Sequence, residues 1–274
     1  AVLMVLSMIG GWWQEYDFIR DVTYWLSMPG RSGKFIAGLI CSEDVLYFVI
    51  VVCLFLSLTI IRLNSVRQKI RFVITLGRNI GVIFLACFLG YLSALPQMKL
   101  YHDATSTKIN TLTPNSQDIV AKLDGGMTIT TYINALDPGS SWFAAPYFLK
   151  PDMERFEQYL RFKPDMKLKY VYYYDTVATN PWLMGRYPGK TIDEIAKEES
   201  EKRDWDVKKL LTPKQIKKII DLEPEGNVFV RLVERKNGQK AFLRLFNDLE
   251  KFPSEAEIGV TFKRFVMEMP KVGF

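Results

Sequence analysis

Two long apolar runs dominate the pattern of hydrophobic and polar positions along the chain. Residues 45–61 read VLYFVIVVCLFLSLTII, and residues 79–95 read NIGVIFLACFLGYLSAL. As a helix, each run of about 17 residues would be about 25 Å long at ~1.5 Å per residue, which is close to the ~30 Å of a bilayer core. Neither run contains a charged residue, so the pattern predicts two membrane-spanning helices. The alternative is a pair of core helices in a soluble protein, where short apolar runs also occur.

The segment between the two runs, residues 62–78, carries cations and no acidic residue. Lys and Arg are enriched in the cytoplasmic loops of membrane proteins, so this segment is expected inside the cell. Residues 42–44 and everything after Pro96 then lie outside the cytoplasm. The segment contains five cations, namely Arg62, Arg67, Lys69, Arg71 and Arg78.

The composition changes at Pro96, from membrane-like before it to ordinary soluble composition after it. Residues 1–97 are predicted to form the membrane region, with a truncated span at 1–10, an outer interfacial segment at 11–44 and the two spans. Residues 98–126 are predicted to be a linker with a capped helix. The remaining residues, 127–274, are enough to bury one core.

Capping signals and alternating apolar positions predict the elements after Pro96. Thr113 followed by a proline opens a helix at 114–123, and Thr212 and Ser254 each open a helix with a capping box. Strands are predicted at 127–133 and 168–174, a hairpin at 227–234 and 240–245, and further helices at 152–161 and 192–205. The predicted fold is an α/β extracytoplasmic domain of thioredoxin-like order, incomplete at the C-terminus, attached to a transmembrane α-helical hairpin.

Charge and reactive side chains exclude several classes of function. The net charge of +6 comes largely from residues 62–78, so no basic stripe for nucleic acid is present. His102 is the single histidine, and the three cysteines all lie in or beside the apolar runs, which excludes a His or Cys zinc site and a redox pair in the domain. Residues 30–34, GRSGK, lack the first glycine and the final Ser or Thr of a nucleotide-binding loop. The sequence predicts no catalytic residue, metal site or cofactor.

Tyrosines cluster on the second predicted strand. Tyr170, Tyr172 and Tyr174 are a candidate partner surface, because aromatic rings suit stacking on a polysaccharide or contact with another envelope component. The alternative is that Tyr occurs here because it favours strands.

Three stretches resemble a known transporter family. Residues 105–134, TSTKINTLTPNSQDIVAKLDGGMTITTYIN, resemble the start of the auxiliary component of gliding-motility-type ABC transporters. Residues 244–274 are similar to a later helix of that component, and residues 42–63, SEDVLYFVIVVCLFLSLTIIRL, to the last span of its partner, an ABC-2 type permease. Residues 138–243 match only in general pattern. The resemblance implies a permease tail fused to an auxiliary domain.

The resemblance also implies a function. The chain would be a multi-pass subunit of an ABC-type exporter in the inner (plasma) membrane, with its soluble domain extracytoplasmic and no enzymatic activity of its own. ATP hydrolysis would belong to a separate cytoplasmic ATP-binding subunit that docks near residues 62–78. Further expected partners are membrane lipid and an envelope or polysaccharide component. The alternatives are a membrane-anchored extracytoplasmic binding or adaptor domain without transport activity and, third, an extracytoplasmic hydrolase.

Overall fold

The computed structural model describes Leu26 and residues 28–95, 98–144, 148–203, 205–244 and 251–267. The chain divides into two compact units, Ala1–Thr111 and Leu112–Phe274. The boundary falls inside the segment predicted as a linker. The predicted span at 1–10, the first part of the interfacial segment and residues 245–250 and 268–274 lie outside the described residues.

A helical hairpin forms the main part of the first unit. Helix α1 (Met28–Ile36) and strand β1 (Leu39–Cys41) precede the long helices α2 (Ser42–Arg67) and α3 (Phe72–Ala94), and strand β2 (Tyr101–Asp103) follows them. Both helices are longer than the apolar runs that predict them, and the turn between them is residues 68–71. Helix thus also covers residues 62–67 and 72–78 of the segment between the two apolar runs, and Arg is a good helix former.

Helices α2 and α3 pack through positions spaced three and four residues apart. On α3 the buried positions are Thr75, Ala86, Gly90 and Ser93. A hydrogen bond of 2.9 Å joins the hydroxyls of Ser65 and Thr75 next to the turn. This spacing places one narrow stripe of each helix in the contact and leaves the other side chains outside it.

Most apolar side chains of the hairpin are exposed. The most apolar windows of α2 and α3 have mean hydropathies of 2.6 and 2.0, and 11% and 6% of their residues are buried. A core helix of a soluble protein would be mostly buried. The described part of the chain therefore contains two helices long and apolar enough to cross a membrane.

At the end opposite the turn, hydrogen bonds join α2 to the chain that leaves α3, and ion pairs join α2 to α1. Strands β1 and β2 pair in antiparallel orientation. The Ser42 hydroxyl accepts from the backbone N–H of Leu100 at 2.8 Å, and the Ser42 N–H donates to the Leu100 carbonyl at 2.8 Å. Arg31, which is 1% exposed, pairs with Asp44 at 2.7 Å and with Glu43 at 3.2 Å. The Ser42 bonds and the β1–β2 pairing fix the start of α2 against the chain that leaves α3, and the Arg31 ion pairs fix it to α1.

The Asp103 carboxylate organises the turn that follows β2. It accepts from the N–H and hydroxyl of Thr105 at 3.0 and 2.6 Å and from the N–H of Asn110 at 2.8 Å. Burial alone would raise the pKa of Asp103, but the hydrogen bonds from Thr105 and Asn110 lower it to about 2.

We expect the stability of the first unit to fall at low pH through Asp103. Its pKa of about 2 lies below the model-peptide value of 3.8, so folding favours the ionised form. This contribution is present above about pH 4 and is lost as the pH falls toward 2. The check is the difference in thermal stability between wild type and Asp103→Asn, measured at several pH values. A difference that is the same at pH 5 and pH 2 would contradict the prediction.

A four-stranded mixed sheet forms the centre of the second unit. Its strands are β3 (Met127–Asn134), β4 (Met166–Tyr173), β5 (Val230–Arg235) and β6 (Lys240–Leu243). They lie in the order β4-β3-β5-β6. Strands β3 and β4 are parallel, and β5 and β6 form an antiparallel hairpin paired with β3. The predicted strands and hairpin are confirmed.

Helices cover both faces of the sheet. They are α4 (Pro114–Ala121), α5 (Leu149–Arg155), α6 (Glu157–Phe162), α7 (Leu183–Arg186), α8 (Ile192–Lys202), α9 (Pro213–Ile219) and α10 (Glu255–Val266). The capping boxes at Thr212 and Ser254 are confirmed, and Thr191 forms a third. The helix predicted at 152–161 is divided into α5 and α6 at Phe156, which is fully buried.

Two apolar layers sandwich the sheet. On one face, Ile129 and Val233 pack against Phe156, at the junction of α5 and α6, and against Ile258 and Phe262 of α10. On the other face, Tyr132, Tyr173 and Leu232 pack against Ile216 and Leu222 near α9. Alternate residues of each strand thus enter different layers, as the period of a strand requires.

The N-terminus of α4 is bonded to the N-terminus of α10. The Thr113 hydroxyl accepts from the N–H of Ser116 at 3.4 Å and donates to Glu255 at 2.7 Å. Thr113→Ala should lower the free energy of unfolding by about 1 kcal/mol through loss of the cap. Asn115→Ala, at an exposed position of the same helix, is the control. Denaturant unfolding of the two variants checks this, and equal stabilities would contradict it.

Candidate functional site

Five cations surround the turn of the hairpin. Arg62 and Arg67 lie on α2, Lys69 and Arg71 in the turn, and Arg78 on α3. All five side chains are exposed, and Lys69 has a left-handed backbone with φ of 47°. Among the residues that the structure describes, none of the five forms an ion pair. The charge of the turn is therefore available to an anionic partner.

Exposed apolar residues lie between Arg62 and the turn on α2, and between the turn and Arg78 on α3. Val66 on α2 is 64% exposed, and Phe72 and Val73 at the start of α3 are 77% and 75% exposed. The apolar surface of the hairpin thus extends past Arg62 and Arg78, so these two arginines have apolar residues on both sides along the helix axis.

In the second unit, the loops at the carboxyl ends of β3 and β4 are joined by a buried amide. The Asn134 side chain is 0% exposed. Its Nδ2 donates to the carbonyls of Asp175 at 3.1 Å and Asn227 at 2.9 Å, while its Oδ1 accepts from the N–H of Leu136 at 3.0 Å. One side chain therefore fixes three loops at the edge where α/β proteins commonly place their sites.

Asp137 stabilises the loop that follows β3. Its carboxylate is buried and accepts from the Ser140 hydroxyl at 2.6 Å, the Gly139 N–H at 3.1 Å and the Thr179 hydroxyl at 3.3 Å. All three donors belong to loops at the carboxyl edge of the sheet. The contacts keep the loops after β3 and β4 together.

An ion pair is buried beneath these loops. Arg231 on β5 donates from Nη2 to Asp152 Oδ1 at 2.6 Å and from Nη1 to Oδ2 at 2.8 Å. Nη1 also donates to the Thr131 hydroxyl at 2.8 Å, and Nη2 to the Lys251 carbonyl at 3.0 Å. Arg231 is 1% exposed, and its Nε has no hydrogen-bond partner among the described residues. The bidentate geometry fixes α5 to the sheet.

Aromatic rings complete the surroundings of the Arg231 guanidinium. The centroids of Phe156, Phe229 and Phe252 lie 5.3, 4.9 and 5.7 Å from its central carbon. These rings exclude water from the ion pair, which raises the cost of leaving either charge without its partner.

The predicted tyrosine surface is largely occupied by contacts within the unit. The Tyr170 hydroxyl donates to Asp152 at 2.7 Å, and burial together with that carboxylate raises the pKa of Tyr170. The Tyr174 hydroxyl donates to Asp193 at 2.8 Å, and burial together with Asp193 raises the pKa of Tyr174 to about 12. Tyr174 is buried, while Tyr170 and Tyr172 are half-buried. A partner would therefore meet only the half-exposed rings of Tyr170 and Tyr172.

The sequence pattern did not identify Arg231 and Asp152 as an interacting pair. A signal was present, because Arg231 interrupts the apolar strand sequence VFVRLV at 228–233, where a charged inward residue requires a partner. The identity of that partner, on a helix 79 residues away in sequence, could not be read from the pattern.

The polar groups of the second unit mainly bind one another. The unit contains no histidine and no cysteine. Within the described ranges no group of three His, Cys, Asp or Glu residues could hold a metal ion. These contacts hold the loops after β3 and β4 together. Comparison of the chain with protein-family models, with curated proteins and with solved structures finds no significant match.

Proposed function

We propose that this chain is a membrane subunit of an ABC-type exporter, in which a permease tail is fused to an auxiliary extracytoplasmic domain that engages substrate or envelope partners. The observation that carries the proposal is the hairpin of two exposed apolar helices whose connecting segment, residues 62–78, carries five cations and no acid. The likeness of residues 42–63 and 105–134 to a permease span and to an auxiliary domain supports it.

Charge distribution supports a specific orientation. A turn rich in Arg and without acidic residues favours the cytoplasmic side of a membrane. The chain enters α2 from β1 and leaves α3 toward β2, so both connections are at the other end of the hairpin. A hairpin that spans the membrane would then deliver the residues after Thr111 to the outer side.

The strand order of the second unit supports a thioredoxin-like arrangement. Two parallel strands, β3 and β4, precede an antiparallel hairpin and a final helix, α10. We propose that this domain binds, and that the tightly joined loops after β3 and β4 form its recognition surface. A fold alone specifies no ligand, so the partner's identity depends on the exporter assignment.

The ATP-binding subunit would dock on the turn. Arg67, Lys69 and Arg71 are at its tip, exposed and without an ion pair among the described residues, which suits an acidic surface of a cytoplasmic protein. Arg62 and Arg78 lie further along the helices, where a cytoplasmic protein would have poorer access.

The test is recovery of that subunit with the tagged full-length protein, solubilised in mild detergent. We expect a protein carrying a nucleotide-binding loop G-x-x-x-x-G-K-[ST] to copurify and to be identified by mass spectrometry. Arg67→Gln/Arg71→Gln should reduce its recovery. The matched control is Lys167→Gln/Lys169→Gln, which removes two exposed cations from β4. No such protein, or equal recovery with both variants, would contradict the proposal.

Cysteine labelling tests the orientation. In a background without Cys41, Cys53 and Cys87, a membrane-impermeant maleimide should label Lys197→Cys in intact cells. It should label Gln68→Cys only after permeabilisation. Labelling of Gln68→Cys in intact cells would reverse the orientation and remove the site for a cytoplasmic subunit.

A membrane-anchored binding or adaptor domain without transport activity is the second candidate. The observation in its favour is that the described residues contain two candidate spans, which are enough for an anchor. The copurification experiment separates the two candidates, because an anchored adaptor requires no ATP-binding subunit.

A further inference from the structure

Arg62 and Arg78 lie within the apolar part of the hairpin. Arg62 is five residues before the end of α2, about 7.5 Å along the axis, and Arg78 is six residues after the start of α3, about 9 Å. Val66, Phe72 and Val73 are closer to the turn and 64–77% exposed. If the apolar side chains contact lipid, both guanidinium groups begin at or below the level of the headgroups.

A guanidinium group at this depth requires an anion. An unpaired arginine in the apolar layer is costly, and its long side chain extends toward the interface to reduce the cost. Residues 62–78 contain no Asp or Glu, and neither arginine forms an ion pair with any described residue. The anion must therefore come from outside this segment.

We propose that Arg62 and Arg78 bind the phosphate groups of anionic phospholipids in the leaflet that faces the turn. The planar guanidinium group forms two parallel hydrogen bonds with a phosphate, and at headgroup depth phosphate is the abundant anion. Lipids with a net negative charge are preferred, because a zwitterionic headgroup brings its own cation. The inference rests on the membrane insertion assumed in the proposed function and adds a specific lipid ligand to it.

The lipid site is distinct from the site proposed for the ATP-binding subunit. Arg67, Lys69 and Arg71 lie in the turn or at the helix end beside it and are exposed, so we expect them to extend into water. Arg62 and Arg78 have exposed apolar neighbours on both sides along the helix. The two pairs of arginines, 62 with 78 and 67 with 71, carry equal charge and differ in depth, which makes each pair the control for the other.

The experiment is a lipid titration of the full-length protein in detergent, with bound lipid counted by native mass spectrometry. Phosphatidylglycerol is the anionic probe, phosphatidylcholine the zwitterionic probe and inorganic phosphate the free-anion control. Wild type should prefer phosphatidylglycerol to phosphatidylcholine. Arg62→Gln/Arg78→Gln should weaken phosphatidylglycerol binding about 30-fold, at roughly fivefold per arginine. Arg67→Gln/Arg71→Gln should weaken it less than the deeper pair.

Several results would overturn the proposal. The first is equal binding of phosphatidylglycerol and phosphatidylcholine by wild type, and the second is an equal loss of phosphatidylglycerol binding in the two double variants. The third is competition by inorganic phosphate as strong as that by phosphatidylglycerol, which would indicate a site for a free anion. Circular dichroism checks that each variant folds, and if the deeper double variant does not, the wild-type preference and the single variants decide. Failure of the lipid proposal can be distinguished from failure of the proposed function. The first is measured as lipid binding of the Arg62 and Arg78 variant, and the second as recovery of an ATP-binding subunit with the Arg67 and Arg71 variant.

Discussion

Asp152→Ala is expected to lower the free energy of unfolding of the second unit by about 3–5 kcal/mol. The substitution leaves the Arg231 guanidinium buried without its carboxylate, surrounded by three phenyl rings and by one hydroxyl and one carbonyl that cannot neutralise its charge. Tyr170 loses its acceptor at the same time. Because native domains are stable by only about 5–15 kcal/mol, this loss would remove much of the total.

Chemical denaturation of the full-length protein in detergent, followed by tryptophan fluorescence, measures the effect. Glu223→Gln is the matched control, since it breaks the ion pair with Lys217 in which both side chains are more than half exposed. That pair should contribute less than about 1 kcal/mol. Arg231→Met/Asp152→Leu, which removes both charges, should be more stable than Asp152→Ala. An Asp152→Ala loss no larger than that of Glu223→Gln would contradict the role given to the pair.

Cys53→Arg is expected to reduce membrane insertion of α2 by about 60- to 300-fold. Cys53 lies at the middle of the apolar run 45–61, where an arginine costs roughly 2.5–3.5 kcal/mol on insertion scales. The residue is exposed on the hairpin. In a soluble protein the same exposed position would tolerate the substitution within about 0.5 kcal/mol. The two interpretations of the hairpin therefore predict opposite results.

The measurement is the fraction of chain that remains in the membrane after alkaline extraction, or a glycosylation-based insertion assay on α2. Gln68→Arg, an exposed position in the turn, is the control and should insert as wild type does. Insertion of Cys53→Arg equal to that of Gln68→Arg would favour a helix that packs in water against another protein.

Local signals in the sequence predicted much of the fold. Thr113, Thr212 and Ser254 each have a side-chain oxygen that caps the helix following it, and these short-range bonds depend on a few adjacent residues. The strands β3 and β4 follow from alternation of apolar positions. The apolar runs predicted α2 and α3, although not the turns of helix that carry Arg62, Arg67 and Arg78.

The parts that the sequence did not reveal depend on partners distant in the chain. Strands β1 and β2 have three residues each, too few for a periodic pattern, and exist because they pair with one another about 60 residues apart. The same holds for the candidate sites. The cations near the turn could be identified from the sequence alone. The ion pair of Arg231 with Asp152 and the hydrogen bond of Tyr174 to Asp193 form only when elements distant in the sequence come together.

The two hydrogen bonds between Ser42 and Leu100, in the chain that leaves α3, have a mechanical consequence. The Ser42 N–H and hydroxyl both bind Leu100, and β1 and β2 pair beside them, so the hairpin is held together at the end opposite the turn. The hydrogen bond between Ser65 and Thr75 links the two helices next to the turn. Sliding of one helix past the other would break both attachments. A force applied at the turn is therefore expected to move the two helices together rather than slide one past the other.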